Sequence, residues 1–229
     1  GTLYTIDMAR RMIEGGSFRT IAVVASNFTS AHLNREVYTA EQELGSGKKA
    51  NGFLSMYVFG DGAGALILRA DGRADGPGIV RSFAGTAHAD LVLRKGGGNL
   101  RLGFQGRAGA ADHAFIVDGQ QVARTYPVFM KKCIDGVLGE DRALVPQIKR
   151  WYFHQPNKRL MDSFVEREAL PRERVACHVD RHGNTSAAGM LILLAEDLRD
   201  GAVAMGSGDL VLLAAIGANV NYGAQLVRL

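Results

Sequence analysis

The chain has 229 residues, 47% of them hydrophobic and 22% charged, with a formal net charge of +4 at pH 7. Such a composition suits a globular chain with a sizeable core, enough for one large domain or two small ones. No apolar run reaches the roughly 18 residues of a membrane span, no basic stretch alternates with aromatics as nucleic-acid surfaces do, and Gly1-Thr2-Leu3-Tyr4-Thr5 carries no basic n-region, so neither membrane, nucleic acid nor a signal peptide is expected.

Apolar residues at 3, 6, 9, 12 and 13 have a helical period, and Gly15-Gly16 ends that helix. Thr20 to Ser26 is a short apolar run and predicts a buried strand. Residues 27–52 are polar and predict a long loop with a short helix. Met56 to Phe59 and Ala65 to Leu68 predict strands on either side of Gly60-Asp61-Gly62-Ala63-Gly64. Residues 71–76 predict a turn and Ile79 to Ala84 a strand. The Gly- and Ala-rich stretch 85–112 lacks periodicity and predicts a surface excursion. Phe115-Ile116-Val117 leads into a helix over about 121–138.

The second half predicts a buried strand at Trp151 to His154, a helix over about 157–168, a strand at Arg174 to Val179 and a largely apolar, buried helix at Thr185 to Leu198. Asp209 to Ile216 predicts a central strand, Gly217-Ala218-Asn219 a turn, and Tyr222 to Arg228 a returning strand. Residues 3–26 and 185–216 both read helix, short Gly-containing loop, buried strand. This weak internal repeat suggests two related α/β halves, the first incomplete at its N-terminal side.

Cys133 and Cys177 are too few for a disulfide framework and read as core thiols in a reducing, cytoplasmic setting. Lys131-Lys132, Lys149-Arg150, Lys158-Arg159 and Arg172 with Arg174 read as a solvated basic face, or more sharply as a surface for an acidic protein or a phosphate-bearing ligand. His32, His88, His113 and His178 have no carboxylate or cysteine at ligand spacing, so no metal site is expected. Read as a phosphate loop, Gly60–Gly64 fails, because strand-like Ala65-Leu66-Ile67-Leu68 follows where a helix is required.

Two polar residues end hydrophobic segments: His154 in Trp151-Tyr152-Phe153-His154-Gln155-Pro156-Asn157-Lys158-Arg159, and Asn184 in Asp180-Arg181-His182-Gly183-Asn184-Thr185-Ser186-Ala187-Ala188. Alone, the first reads as a core histidine and the second as a cap for the helix that follows. Together they offer two neutral donors for one developing oxyanion. These two runs resemble the β-ketoacyl-acyl-carrier-protein synthase III family of condensing enzymes, in the thiolase superfamily. So do Phe59 to Ala65 and Gly208 to Leu213 followed by Gly217 and Gly223. Their order and spacing match over essentially the whole chain, and Asp180–Ala188 is the most specific stretch.

The resemblance implies an α/β, thiolase-like layered αβαβα fold. Residues 1–84 would close the N-terminal half, 85–114 form a connecting excursion, and 115–229 make a complete C-terminal half. It also implies a Cys-His-Asn site with His154 and Asn184 as catalytic residues and the Ala218 backbone N–H in the oxyanion hole. Arg159 matches a position that contacts the carrier's phosphopantetheine, with a solvated arginine as the plain alternative. Asn157 is a candidate for orienting the site or a water, and His182 is expected to be structural. Gly1 matches the glycine of the family's Cys-x-Gly, which puts the nucleophile two positions upstream, with about a hundred further residues before it. A cut polypeptide, a fragment, a separate upstream chain and a chemically modified cysteine at the junction all account for this.

The activity implied is a Claisen condensation of acyl thioesters through an acyl-cysteine, needing no permanently bound cofactor. Its substrates are acyl-CoA and acyl- or malonyl-carrier thioesters, and its partners are acyl carrier protein, the upstream segment and a second copy in a homodimer. Fatty acid or polyketide synthesis would be the setting. An acyltransferase of the same fold and a non-catalytic subunit of a condensing heterodimer stay open. Retention of Asn184 favours condensation, and retention of both side chains disfavours a silent subunit. The chain departs from the family at Asn219 (usually glycine), Asn221 (usually threonine) and Pro156 (usually alanine). It is also longer around residues 27–55 and 85–115, which border the acyl channel in the family and leave an unusual substrate open.

Overall fold

The computed structural model describes every residue except 44–46, 73–75, 89–90, 95, 97–109, 140–141 and 219. In chain order, helix α1 (Thr2–Glu14) leads to β1 (Thr20–Asn27). A loop follows with α2 (Arg35–Thr39) and the short strands β2 (Gln42–Glu43) and β3 (Lys49–Ala50). Then come α3 (Ser55–Val58), β4 (Gly62–Arg69) and β5 (Gly78–Thr86). The pair β6 (Val92–Leu93) and β7 (Ile116–Val117) precedes the long helix α4 (Gly119–Leu138). The rest is β8 (Ile148–Phe153), α5 (Lys158–Arg167), α6 (Val179–His182), α7 (Gly189–Arg199), β9 (Leu210–Gly217) and β10 (Asn221–Arg228).

A four-stranded sheet in the order β5-β10-β9-β8 forms the centre. Strand β10 is antiparallel to both neighbours, and β8 runs parallel to β9. Alternation along each strand splits the sheet's side chains between two cores. Trp151, Phe153, Leu212 and Ala214 pack under α4 and α5. Tyr152, Val211 and Leu213 face the other way, onto α1 and α7. The far side of those two helices carries the antiparallel pair β1–β4, through Val23 and Ala25. The described residues therefore stack as helices, sheet, helices, sheet, as the layered expectation requires.

Local chemistry explains the borders. Asp118 caps α4, its Oδ1 accepting the N–H groups of Gln120 and Gln121 at 3.2 and 3.1 Å. Arg150 grips Asp197 of the middle helix α7 with a bidentate pair at 2.7 and 3.0 Å. The glycines of 60–64 let backbone reach that layer: a Cβ on Gly64 would sit 2.7 Å from the Leu191 Cβ, and one on Gly60 only 1.8 Å from the His182 carbonyl oxygen.

Three local expectations are corrected. Met56 to Val58 belong to α3 rather than a strand, because the N–H groups of 55–58 bond back to the carbonyls of Gly52, Phe53 and Leu54. Residues 174–179 are not a strand. They form the end of a 3-10 turn, one bridge from Val175 to Trp151, and then the start of α6. Among the described residues the apolar run of β1 is buried on one face only, with Val24 69% exposed on the other and Ile67 of its partner β4 63% exposed beside it. The remaining expectations hold to within a few residues, although most of the excursion at 85–112 and part of the turn at 71–76 lie outside the described residues. The boundary expected at residue 84 falls inside β5, which pairs with β10 in the central sheet.

Candidate active site

Strand β8 ends where the parallel ladder to β9 runs out. The His154 N–H still finds the Ala214 carbonyl, at 2.9 Å. The His154 carbonyl instead accepts the hydroxyl of Tyr126, from α4, at 3.2 Å. The next residue is buried and polar. Gln155 donates through Nε2 to the carbonyls of Phe153 (3.0 Å) and Ala176 (3.3 Å), and its Oε1 accepts the His178 N–H at 3.1 Å. Pro156 has no N–H to satisfy, and Asn157 caps α5 by accepting the Leu160 N–H at 2.9 Å. This sequence of short-range bonds turns the chain from strand to helix and leaves the imidazole at the bend.

Asn184 is held differently. Its N–H donates to the Val58 carbonyl (2.8 Å), and its carbonyl accepts the Gly60 N–H (3.1 Å), a parallel bridge centred on Phe59. Gly183, at φ +67, makes the entry to this clamp. The side-chain Oδ1 accepts the Ser186 N–H at 2.9 Å. A backbone N–H can only donate, so that oxygen is committed and the free end of the carboxamide is its NH2. Ser186 holds φ +52, a conformation that disfavours side chains with a Cβ.

Both side chains line one cavity of about 790 Å³, whose wall also includes Gly1, Tyr126 and Phe59. The N-terminal end of α1 opens into it: Gly1 and Thr2 are in the lining, and the Thr2 hydroxyl donates to the Ala187 carbonyl at 2.6 Å. The start of α1 is thus tied to the turn that carries Asn184. Unpaired N–H groups and the aligned helix dipole make this end of the cavity positive. Burial pushes the His154 imidazole well below its ordinary value, so it is neutral at pH 7.

Ala218, Asn157 and Arg159 also line the cavity. All five sequence-predicted residues therefore share one space, and Arg159 is exposed within it. Asn219 lies outside the described residues. His182 points elsewhere, its Nε2 lying 3.5 Å from Glu196 Oε1. His178 is fully buried against it, ring centroids 5.5 Å apart. Among the described residues no group of three or more His, Cys, Asp or Glu could hold a metal ion. Sequence reasoning missed Tyr126, Gln155 and Thr2. The first is one of two aromatics on an amphipathic helix, where a core role is the plain reading, and the other two act through bonds to backbone distant in sequence.

The stacked layers are those of a thiolase-like α/β fold. The solved 3-oxoacyl-(acyl carrier protein) synthase III of Pseudomonas aeruginosa PAO1 superposes with a TM-score of 0.81 at 25% identity, covering 100% of this chain and 64% of that one. The family model for 3-oxoacyl-[acyl-carrier-protein] synthase III matches residues 1–87, and the model for that synthase's C-terminal part matches residues 140–229. Proteins named beta-ketoacyl-[acyl-carrier-protein] synthase III are 31% identical over 236 residues in Rhizorhabdus wittichii and 32% identical over 241 residues in Rhodospirillum centenum. Both alignments cover 100% of this chain and 64% of the relative. The chain belongs to the 3-oxoacyl-[acyl-carrier-protein] synthase III family, and it spans 64% of the length of these relatives.

Proposed function

We propose that the protein carrying this chain condenses acyl thioesters through an acyl-cysteine, with His154 and Asn184 holding the enolate. The nucleophile is a cysteine two positions before Gly1, at the positive end of α1, where its thiolate is favoured. The thiolate attacks an acyl-CoA carbonyl and expels the CoA thiolate, leaving the acyl group on sulfur. A malonyl thioester then enters. Its C–C bond to the carboxylate breaks, CO2 leaves, and the electron pair moves into an enolate. The enolate oxygen accepts from His154 Nε2–H and from the Asn184 amide. The enolate carbon attacks the acyl-enzyme carbonyl, whose tetrahedral oxyanion takes the Ala218 backbone N–H. Collapse returns the cysteine thiolate and releases a β-ketoacyl thioester.

One observation carries this reading: a neutral imidazole and a carboxamide with its oxygen already committed line the cavity into which α1 opens. Neutral donors are what an enolate needs, since they stabilise charge as it develops without neutralising it by proton loss. Arg159 and Asn157 are assigned to the phosphopantetheine arm of CoA or acyl carrier protein. A homodimer is proposed through an edge strand of the N-terminal half, near β1 (Thr20–Asn27) or its neighbour, in a reducing cytoplasm suited to the free thiols Cys133 and Cys177. A monodisperse monomer in light scattering would remove the dimer. The activity is tested by giving the full-length protein an acyl-CoA and a malonyl thioester and following CO2. Release of CO2 with a β-keto product is expected. Rapid acyl transfer to another acceptor without CO2 would overturn the reading.

A further inference from the structure

We infer that Tyr126 is a positioning residue for His154, holding the imidazole at the cavity from a second element of the fold. The inference rests on the enolate-binding reading above. Three observations converge on it. First, the Tyr126 hydroxyl donates to the His154 carbonyl at 3.2 Å, while the His154 N–H is held by β9 at 2.9 Å. The backbone of the residue is therefore gripped on both sides, once by the sheet and once by α4. Second, the grip lies where the sheet alone no longer suffices: β8 ends at Phe153, and Pro156 offers no N–H to continue the ladder.

Third, the Tyr126 ring is fixed. It is fully buried, stands edge-on to Phe164 (5.8 Å, 82°), and Phe164 stands edge-on to Phe153 (5.7 Å, 77°), the neighbour of His154. Burial also pushes the phenol well above its ordinary value, so the hydroxyl remains a donor at any working pH. The same residue lines the cavity beside His154. A donor on a locked ring sets where the carbonyl sits, and the carbonyl sets where the imidazole points.

The test is Tyr126→Phe in the full-length protein, which removes the hydroxyl and keeps the ring. The acylation step uses the cysteine, whereas decarboxylation uses His154, so the two half-reactions separate positioning from general loosening. Decarboxylation kcat should fall about tenfold, the scale of a sub-ångström misplacement. KM for the malonyl thioester and the acylation burst should stay within about twofold. Ile134→Val, a buried change on the same helix, serves as the stability control: it should lower Tm without separating the half-reactions. A normal decarboxylation rate in Tyr126→Phe, or a parallel fall of both half-reactions as in a loosened core, would overturn the inference. His154→Ala distinguishes the levels. If it decarboxylates normally, the underlying reading fails and takes this one with it. If it is defective while Tyr126→Phe is normal, only this inference fails.

Discussion

His154 leaves the end of a strand buried on both faces, whereas Asn184 sits in a turn clamped by backbone from residues 58–60. The imidazole inherits the rigidity of the central sheet. The carboxamide depends on a glycine approach, two backbone bonds and a strained serine. The two donors thus reach one cavity by unlike means, and they should respond differently to perturbation. Changes in packing around Asn184 should disturb the site more steeply than they disturb stability. Changes around His154 should register in stability as well.

The largest effect should come from Asn184→Ala, with decarboxylation by the full-length protein falling about 10²–10³-fold while Tm moves only slightly. A loss under about tenfold would remove the amide from the enolate site. Next is Gly60→Ala, whose methyl would meet the His182 carbonyl oxygen at 1.8 Å and force the clamp apart. We expect about 1–3 kcal/mol of destabilisation by denaturant titration, with condensation lost more steeply than stability. If decarboxylation falls no further than Tm explains, the clamp does not position Asn184.

The imidazole has a pH signature that the carboxamide lacks. Burial holds its value below the ordinary 6.5, so as pH falls the unfolded chain takes up this proton first. The stability from burying a neutral His154 is therefore complete above about 6.5 and is lost progressively as pH falls below it. Equilibrium unfolding at several pH values should show this loss, and His154→Gln should show less of it. Identical pH dependence in the two proteins would contradict the buried, neutral imidazole. The smallest effect should be Ser186→Gly, which relieves the φ of +52 and should leave Tm equal or raised, by no more than about 1 kcal/mol in stability. A clear destabilisation would mean that Ser186 contributes through its side chain.

The same contrast explains what could be read from the sequence. Helices α4 and α5 and strands β8 and β9 carry long or clean patterns, and they stand where periodicity puts them. Met56 to Phe59 is too short for a period to separate one helical turn from a strand. Residues 174–179 carry a strand-like composition, but only Val175 bridges the edge of β8. An apolar run cannot reveal that β1 leaves one face open. His154 and Asn184 emerged because each sits in a family-like run. Tyr126 did not, because its contact with His154 joins residues 28 positions apart through one hydroxyl and one carbonyl.

The most direct measurement is a double-mutant cycle on malonyl-thioester decarboxylation, using the full-length protein with His154→Ala, Asn184→Ala and the pair. If both donors serve one enolate oxygen, each single change costs about 10²–10³-fold and the pair costs far less than the product of the two. Losses that multiply in full, or a single change that leaves CO2 release untouched, would contradict a shared oxyanion site.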